Sequence, residues 1–340
     1  MLYYYALLYY NINLKQINTM KKIHLISTLI GLLAFSTISK ADLKVVTSIK
    51  PIHSLASYIM DGVGSPGLIV DGYNSPHSFQ LKPSHAKMLE QADIIFWIGE
   101  DLENFLEKPL DTIAKKAEKI ELLEIKGIKK LKFRERNIFE EHDDHGHDAK
   151  KEEHDDHGHD AKKEEHDDHD DHGHGEYDPH IWLDPINAKV ILNEITEHLI
   201  ENDSKNASTY KSNLAKALAK IDKLIIDVIT ETNTDLSYVV FHDAYQYYEN
   251  RFNVNILGAM TVNPDVMPGA EQIHEIHEVI EHDNVSCILS EPQFNPDIIK
   301  SIAKDTNVKT GVLDPLGANL KPGKDLYFDL IRNMSASFNC

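Results

Sequence analysis

Four side chains, far apart in the sequence, are of the types that bind a borderline divalent cation. His77 lies in NSPHSFQLKPSH, His180 in DPHIWLDP, His242 at the end of SYVVFH, and Asp314 in GVLDP. A neutral imidazole offers a nitrogen and an ionised carboxylate adds charge, so three histidines and one aspartate form a closed tetrahedral set for Zn²⁺, at about 2.0 to 2.2 Å per ligand. Taken singly, each histidine reads more simply as a structural residue. What makes them a set is a shared position at the ends of β-rich runs or in the loops beyond them.

The chain carries 20 histidines in 340 residues, and half of them crowd one segment. The twelve-residue unit HDDHGHDAKKEE starts at His142, repeats without change from His154, and begins a third time at His166. It contributes His142, His145, His147, His154, His157, His159, His166, His169, His172 and His174. From Glu140 to Asp178 there are 18 acidic and 4 basic residues, a net charge of −14. With no branched aliphatic or aromatic side chain but imidazole between His142 and Gly175, this segment has nothing to offset the entropy of ordering its backbone. It is expected to be a disordered loop spanning about residues 140–177. Imidazoles flanked by carboxylates make many near-equivalent ligand sets, which implies weak, exchangeable, auxiliary metal binding. An inert solubilising run is the alternative. The loop would raise local zinc, hand ions to the cleft or report zinc excess.

The remaining histidines carry weaker signals. His53, near the end of the first β-rich run, is expected to support a ligand, and His85 to be exposed at a helix start. HEIHEVIEH, residues 274–282, lacks the spacing of two histidines four apart with glutamate beside the first, and reads as a solvated helix face.

The elements that must position these residues alternate between strand and helix. LKVVTSI, GLIV and DIIFWIGE read as strands, with SLASYIMDGV and SHAKMLEQA as helices between them. From Ser204 to Thr230, Tyr210, Leu214, Leu218, Ile221, Leu224, Ile225 and Val228 recur at helical spacing, with Ser204 as the expected N-cap. The alternation resumes with LSYVVFHDAY, a helix through Tyr247 and Phe252, VNILGA, a helix after Pro268, SCILSE, another helix and KTGVLDP. The expected fold is α/β: two parallel-sheet lobes joined by one long helix, with a metal cleft between them. The expected boundaries are a leader over 1–41, a first lobe over 42–186, a helical segment over 187–233 whose interlobe helix spans about 204–231, and a second lobe over 234–340.

Residues 1–41 read as an export signal. Lys21 and Lys22 precede an apolar run from Ile23 to Phe35, and Ser39-Lys40-Ala41 offers a cleavage site before Asp42, with Met20 the expected true start. The run is too short for a membrane span, and no cysteine sits at the cleavage site to carry a lipid. The expected location is the periplasm. Cys287 and Cys340 are the only cysteines. In an exported chain they suggest one disulfide, two free thiols being the alternative. A net charge of −20 disfavours nucleic acid and anionic lipid as partners and favours a cation.

NSPHSFQLKPS, DPHIWLDP, VVFHDAYQYYENRF, VNPDVMPGAEQIHEI, SEPQFNP and LDPLGANL together resemble the high-affinity zinc-uptake solute-binding proteins of bacterial ABC transporters, across essentially all of residues 42–340. The resemblance implies two α/β lobes bridged by a long helix, an acidic His-rich loop just before the DPH segment, and Zn²⁺ bound by His77, His180 and His242 with Asp314 or water fourth. Some members have glutamate immediately before the first ligand, where this chain has Pro76. The resemblance also implies a Cys287–Cys340 disulfide, a monomer that delivers zinc to a membrane permease, and no catalysis. Related manganese binders carry a carboxylate at the position of His242, so the third imidazole favours Zn²⁺. Asp184, Asp243 and Glu291 are the expected carboxylates behind the imidazoles, and Trp182 is expected in the core. A zinc hydrolase with Glu291 as general base is the rival reading.

Overall fold

The computed structural model describes residues 43–134, 136–139, 175–264 and 266–340. The leader and the repeat histidines lie outside them. The first sheet has order β2-β1-β3-β4, from Val45–Ile49 (β1), Gly67–Val70 (β2), Ile94–Trp97 (β3) and Glu118–Glu121 (β4). The second has order β6-β5-β7-β8, from Ser237–His242 (β5), Asn255–Thr261 (β6), Cys287–Ser290 (β7) and Lys309–Val312 (β8). All pairings in both sheets are parallel. Two parallel-sheet α/β lobes are therefore present, as the apolar runs predict.

Burial follows strand position. β1, β3 and β7 are buried throughout, as strands covered on both faces should be. The edge strand β4 reads EKIE and buries only Ile120. That polar sequence explains why β4 does not stand out by apolar pattern, whereas Glu100–Thr112 (α3), which leads to it, buries Leu102, Leu106 and Leu110 at helical spacing.

Helix ends follow their local chemistry. Lys50–Ile59 (α1) starts four residues before the expected Ser54, because Pro51 in the first turn is already set to a helical φ and Ile49 is extended. Pro83–Glu90 (α2) follows β2. Pro185–Asn202 (α4) begins at Asp184, whose side chain accepts from the Ile186 amide at 2.8 Å. The long helix is Ala207–Glu231 (α5), 25 residues and about 37 Å. Ser204 is not its cap, since a 3₁₀ turn over Ser204–Asn206 precedes it. Asp203 holds that entry, accepting from Asn206 Nδ2 at 2.6 Å and Tyr210 Oη at 2.9 Å. α5 buries Tyr210, Asn213, Ala217, Ile221, Leu224 and Val228, while Leu214, Leu218 and Ile225 are only half-buried.

Gln246–Phe252 (α6), Ala270–His282 (α7), Asp297–Thr306 (α8) and Leu326–Ser337 (α9) complete the order. α9 packs on α1 and α5. The Trp182 indole donates to Pro315 O at 2.9 Å, and Tyr327 Oη to Trp182 O at 2.8 Å. Trp182 is fully buried, as expected. No helix among the described residues is long and apolar enough to cross a membrane.

The chain just before the repeats docks on the β6 edge. Ile138 pairs antiparallel with Gly258, and the Ala259 amide donates to Asn137 O at 2.8 Å. A Cβ on Gly258 would lie 2.7 Å from Asn137 O, so glycine is required there. Lys132 bridges Tyr177 on the other side of the repeats.

Cys287 and Cys340 are disulfide-bonded across 53 residues, tying the chain end to β7. Loop entropy alone gives such a bridge about 4 kcal/mol. Reduction, or Cys340→Ser, is expected to lower Tm by several degrees in a thermal melt. An unchanged Tm would show that the bridge stabilises nothing.

Candidate metal centre

In the sheet order shared by both lobes, the chain leaves the first strand on one side and returns on the other, and ligands gather beyond the carboxyl ends of strands at such a switch. His242 is the last residue of β5, the switch strand of the second sheet. Glu291 follows β7 directly, and His77 lies in the loop after β2. His180 precedes a 3₁₀ turn over Ile181–Leu183, held where DPHIWLDP leads into α4.

The structure brings the three histidines together. One ligand nitrogen from each of His77, His180 and His242 lies within 4.8 Å of the others. Their ring centroids are 5.3 to 5.6 Å apart. His180 and His242 are buried and His77 is half-buried. They line a cavity of about 10 Å³ with Pro76, Trp182, Phe294 and Leu316 among its walls, on the scale of a single water or small ion.

Two carboxylates fix the imidazoles. Asp178 Oδ1 lies 2.7 Å from His180 Nδ1 and also accepts the His180 amide at 2.9 Å. Glu291 Oε1 lies 2.5 Å from His242 Nδ1. With each Nδ1–H donating to its carboxylate, each Nε2 points into the cavity, and the two Nε2 atoms are 3.4 Å apart. Nitrogens of this kind attract a cation or share a proton.

Burial pushes Asp178 up to about 7, against its bond from His180 and the nearby His242 and Arg134. His180 is lowered well below the ordinary histidine value by burial and then by His242. His242 moves the other way: burial lowers it, but the Glu291 carboxylate, with Asp243 and Asp178, more than offsets that and raises it. Of the two buried imidazoles, His242 is therefore the one that takes a proton more readily, and its Nε2 faces that of His180.

Asp314 is not brought into the cluster. Its Oδ1 accepts from Gln293 Nε2 and from the Leu316 and Gly317 amides, each at 3.0 Å, and its Oδ2 accepts from the Ala318 amide at 2.5 Å. Four donors hold the carboxylate in the turn that Gly317, with φ of +70°, makes possible.

Of the expected supporting carboxylates, Glu291 touches a cluster histidine and two others do not. Besides capping α4, Asp184 pairs with Arg251 at 2.7 and 2.8 Å. Asp243 pairs with Arg134 at 3.1 Å, and Arg134 also holds Glu249 at 2.5 Å. Asp178 was missed, although it stands two residues before His180 in DPH. His53 is buried against Pro66 O, at 3.2 Å, and supports no ligand. His85 is half-buried, not exposed, and its Nδ1 accepts the Lys82 amide at 3.2 Å. His274 and His282 are exposed on α7, as expected, with His277 half-buried.

The family described as zinc-uptake complex component A, periplasmic, matches residues 45–339. The high-affinity zinc uptake system protein ZnuA of Brucella abortus is 48% identical over 300 residues, covering 86% of this chain and 90% of its own. That of Yersinia pestis is 36% identical over 319 residues, 91% of this chain and 94% of its own. Among solved structures, one of ZnuA superposes with a TM-score of 0.67 at 20% identity, covering 88% of this chain and all of its own. The laminin-binding adhesin of Streptococcus agalactiae, in a mutant form, gives 0.67 at 21%, covering 87% and 98%. The Mn-bound periplasmic metal-binding protein of candidatus Liberibacter asiaticus gives 0.65 at 20%, covering 86% and 97%. These three likenesses concern the fold. With the matched residues running from β1 to the chain end, this protein belongs to the periplasmic zinc-uptake component A family.

Proposed function

We propose that the protein captures Zn²⁺ in the periplasm on His77, His180 and His242 and delivers it, as a monomer, to an ABC-type membrane permease. The observation that carries this reading is the pair of buried Nε2 atoms 3.4 Å apart, each backed by a carboxylate, with a third imidazole in reach. Zinc is cargo here, and no bond is made or broken in it. We read the fourth ligand as water, since Asp314 already serves four donors and Pro76 offers no carboxylate. The repeat histidines act as an auxiliary reservoir.

Manganese is the second reading, and Mn-bound proteins are among the solved structures that share the fold. Mn²⁺ prefers oxygen, and three imidazoles suit Zn²⁺ better. A hydrolase would need Glu291 as a free base, but its Oε1 is occupied by His242 Nδ1.

Zinc titration of the full chain against a competing chelator tests the capture site. One tight zinc per chain is expected, with weaker sites above it. His242→Ala should abolish the tight site and leave the weaker ones, and the reverse pattern would place tight binding in the repeats. Asp178→Asn and Glu291→Gln should each weaken the tight site about 10- to 100-fold while the circular dichroism spectrum stays unchanged. Because His242 is raised above the ordinary histidine value, zinc must displace its proton at and below that value, so apparent affinity should fall as pH drops through the histidine range. Calorimetry in buffers of different ionisation enthalpy should show protons released as zinc binds, more of them at about pH 6 than at about pH 8. No proton release would refute the shared-proton arrangement.

A further inference from the structure

A second group of ligand-type side chains lies away from the cleft. Glu194, His198 and Glu201 occupy one face near the end of α4, at spacings of four and three. Glu118, the first residue of β4, faces them. Glu118 is at the amino end of a parallel strand, whereas the cleft lies beyond carboxyl ends, so the two sites are at opposite ends of their strands.

The hydrogen bonding around His198 leaves one nitrogen unexplained. Nε2 lies 3.2 Å from Glu194 Oε1 in hydrogen-bonding geometry, and in the tautomer that donates Nε2–H to that carboxylate the lone pair is on Nδ1. Nδ1 is shut off from solvent and has no hydrogen-bond partner, although Glu118 Oε1 is only 2.8 Å away. Two electron-rich atoms at that distance repel unless a cation lies between them. Glu201 completes the group, with a ligand atom of each of Glu118, His198 and Glu201 within 4.8 Å of the others. The second oxygen of Glu118 is fixed by Asn202 Nδ2 at 2.9 Å. A carboxylate on the far nitrogen of a histidine whose near nitrogen faces more carboxylates is the usual outer support of a metal ligand.

We infer that Glu118, His198 and Glu201 form a second divalent-cation site, with His198 Nδ1 and one oxygen from each glutamate as ligands and Glu194 orienting the imidazole. One nitrogen with two oxygens suits a borderline first-row cation, Zn²⁺ foremost and Cu²⁺ or Ni²⁺ by the same chemistry. The His198 side chain is 20% exposed and Glu118 39%, so the ion keeps water in its shell and binds more weakly than in the buried cleft. Bound there, it joins the end of α4 to the edge strand of the first sheet. This inference does not depend on the cleft reading.

The test is diethyl pyrocarbonate labelling of the full chain with and without Zn²⁺, read at His198 by peptide mass spectrometry, so that zinc on the repeat histidines cannot be confused with this site. His198 should be labelled several-fold more slowly with zinc, with a midpoint at higher free zinc than for His77, the half-buried histidine of the cleft. In the variant carrying Glu118→Gln and Glu201→Gln, that protection should vanish while protection of His77 persists. Equal labelling of His198 with and without zinc, or protection unchanged in the double variant, would overturn the site and leave His198 as a side chain paired with Glu118 and Glu194 alone. Loss of protection at His77 alone would instead count against the cleft.

Discussion

Two imidazoles held with their Nε2 atoms 3.4 Å apart would turn away from each other in water. They do not turn because Asp178 and Glu291 grip the opposite nitrogens, and those carboxylates are themselves placed by the fold. Asp178 precedes the 3₁₀ turn that opens α4, and its backbone is tied in by Tyr247 Oη at 2.8 Å. Glu291 sits where β7 ends. The site is therefore an electron-rich point built by burying acid–base pairs, which are tolerated because each partner satisfies the other. Protein groups have been brought close enough to require a cation, whether a proton or a metal ion.

Around that point the two lobes are held by polar ties as well as by packing. Trp182 reaches Pro315, Tyr327 reaches Trp182, and Lys50 Nζ donates to Ala318 O at 3.0 Å and Leu320 O at 2.7 Å. The segment carrying Asp314 is thus fastened to the first lobe beside the histidines. That explains why the Asp314 carboxylate caps its own turn: the loop is shaped by the contacts of its neighbours, and the aspartate stabilises that shape.

Much of this arrangement was legible in the sequence. Apolar runs such as VVTSI and IIFW gave the buried strands, and the three histidines stood out by their position near strand ends. Legibility failed where partners are distant or patterns are polar. Nothing local links Asp184 to Arg251, 67 residues away, or Asp243 to Arg134, 109 residues away, so both aspartates looked available to the cluster. EKIE carries no apolar alternation because an edge strand needs little. Asp314 was misplaced because DPLG is a turn signal as well as a strand end, and the turn chemistry took the carboxylate.

The pairing of Ile138 with the β6 edge on one side, and of Lys132 with Tyr177 on the other, gives the repeats two fixed anchors. Doubling the chain between fixed ends costs only about 0.6 kcal/mol. The number of twelve-residue units is therefore almost free of structural selection. Each unit added or removed between those anchors would change the count of histidines by three and leave both lobes as they are.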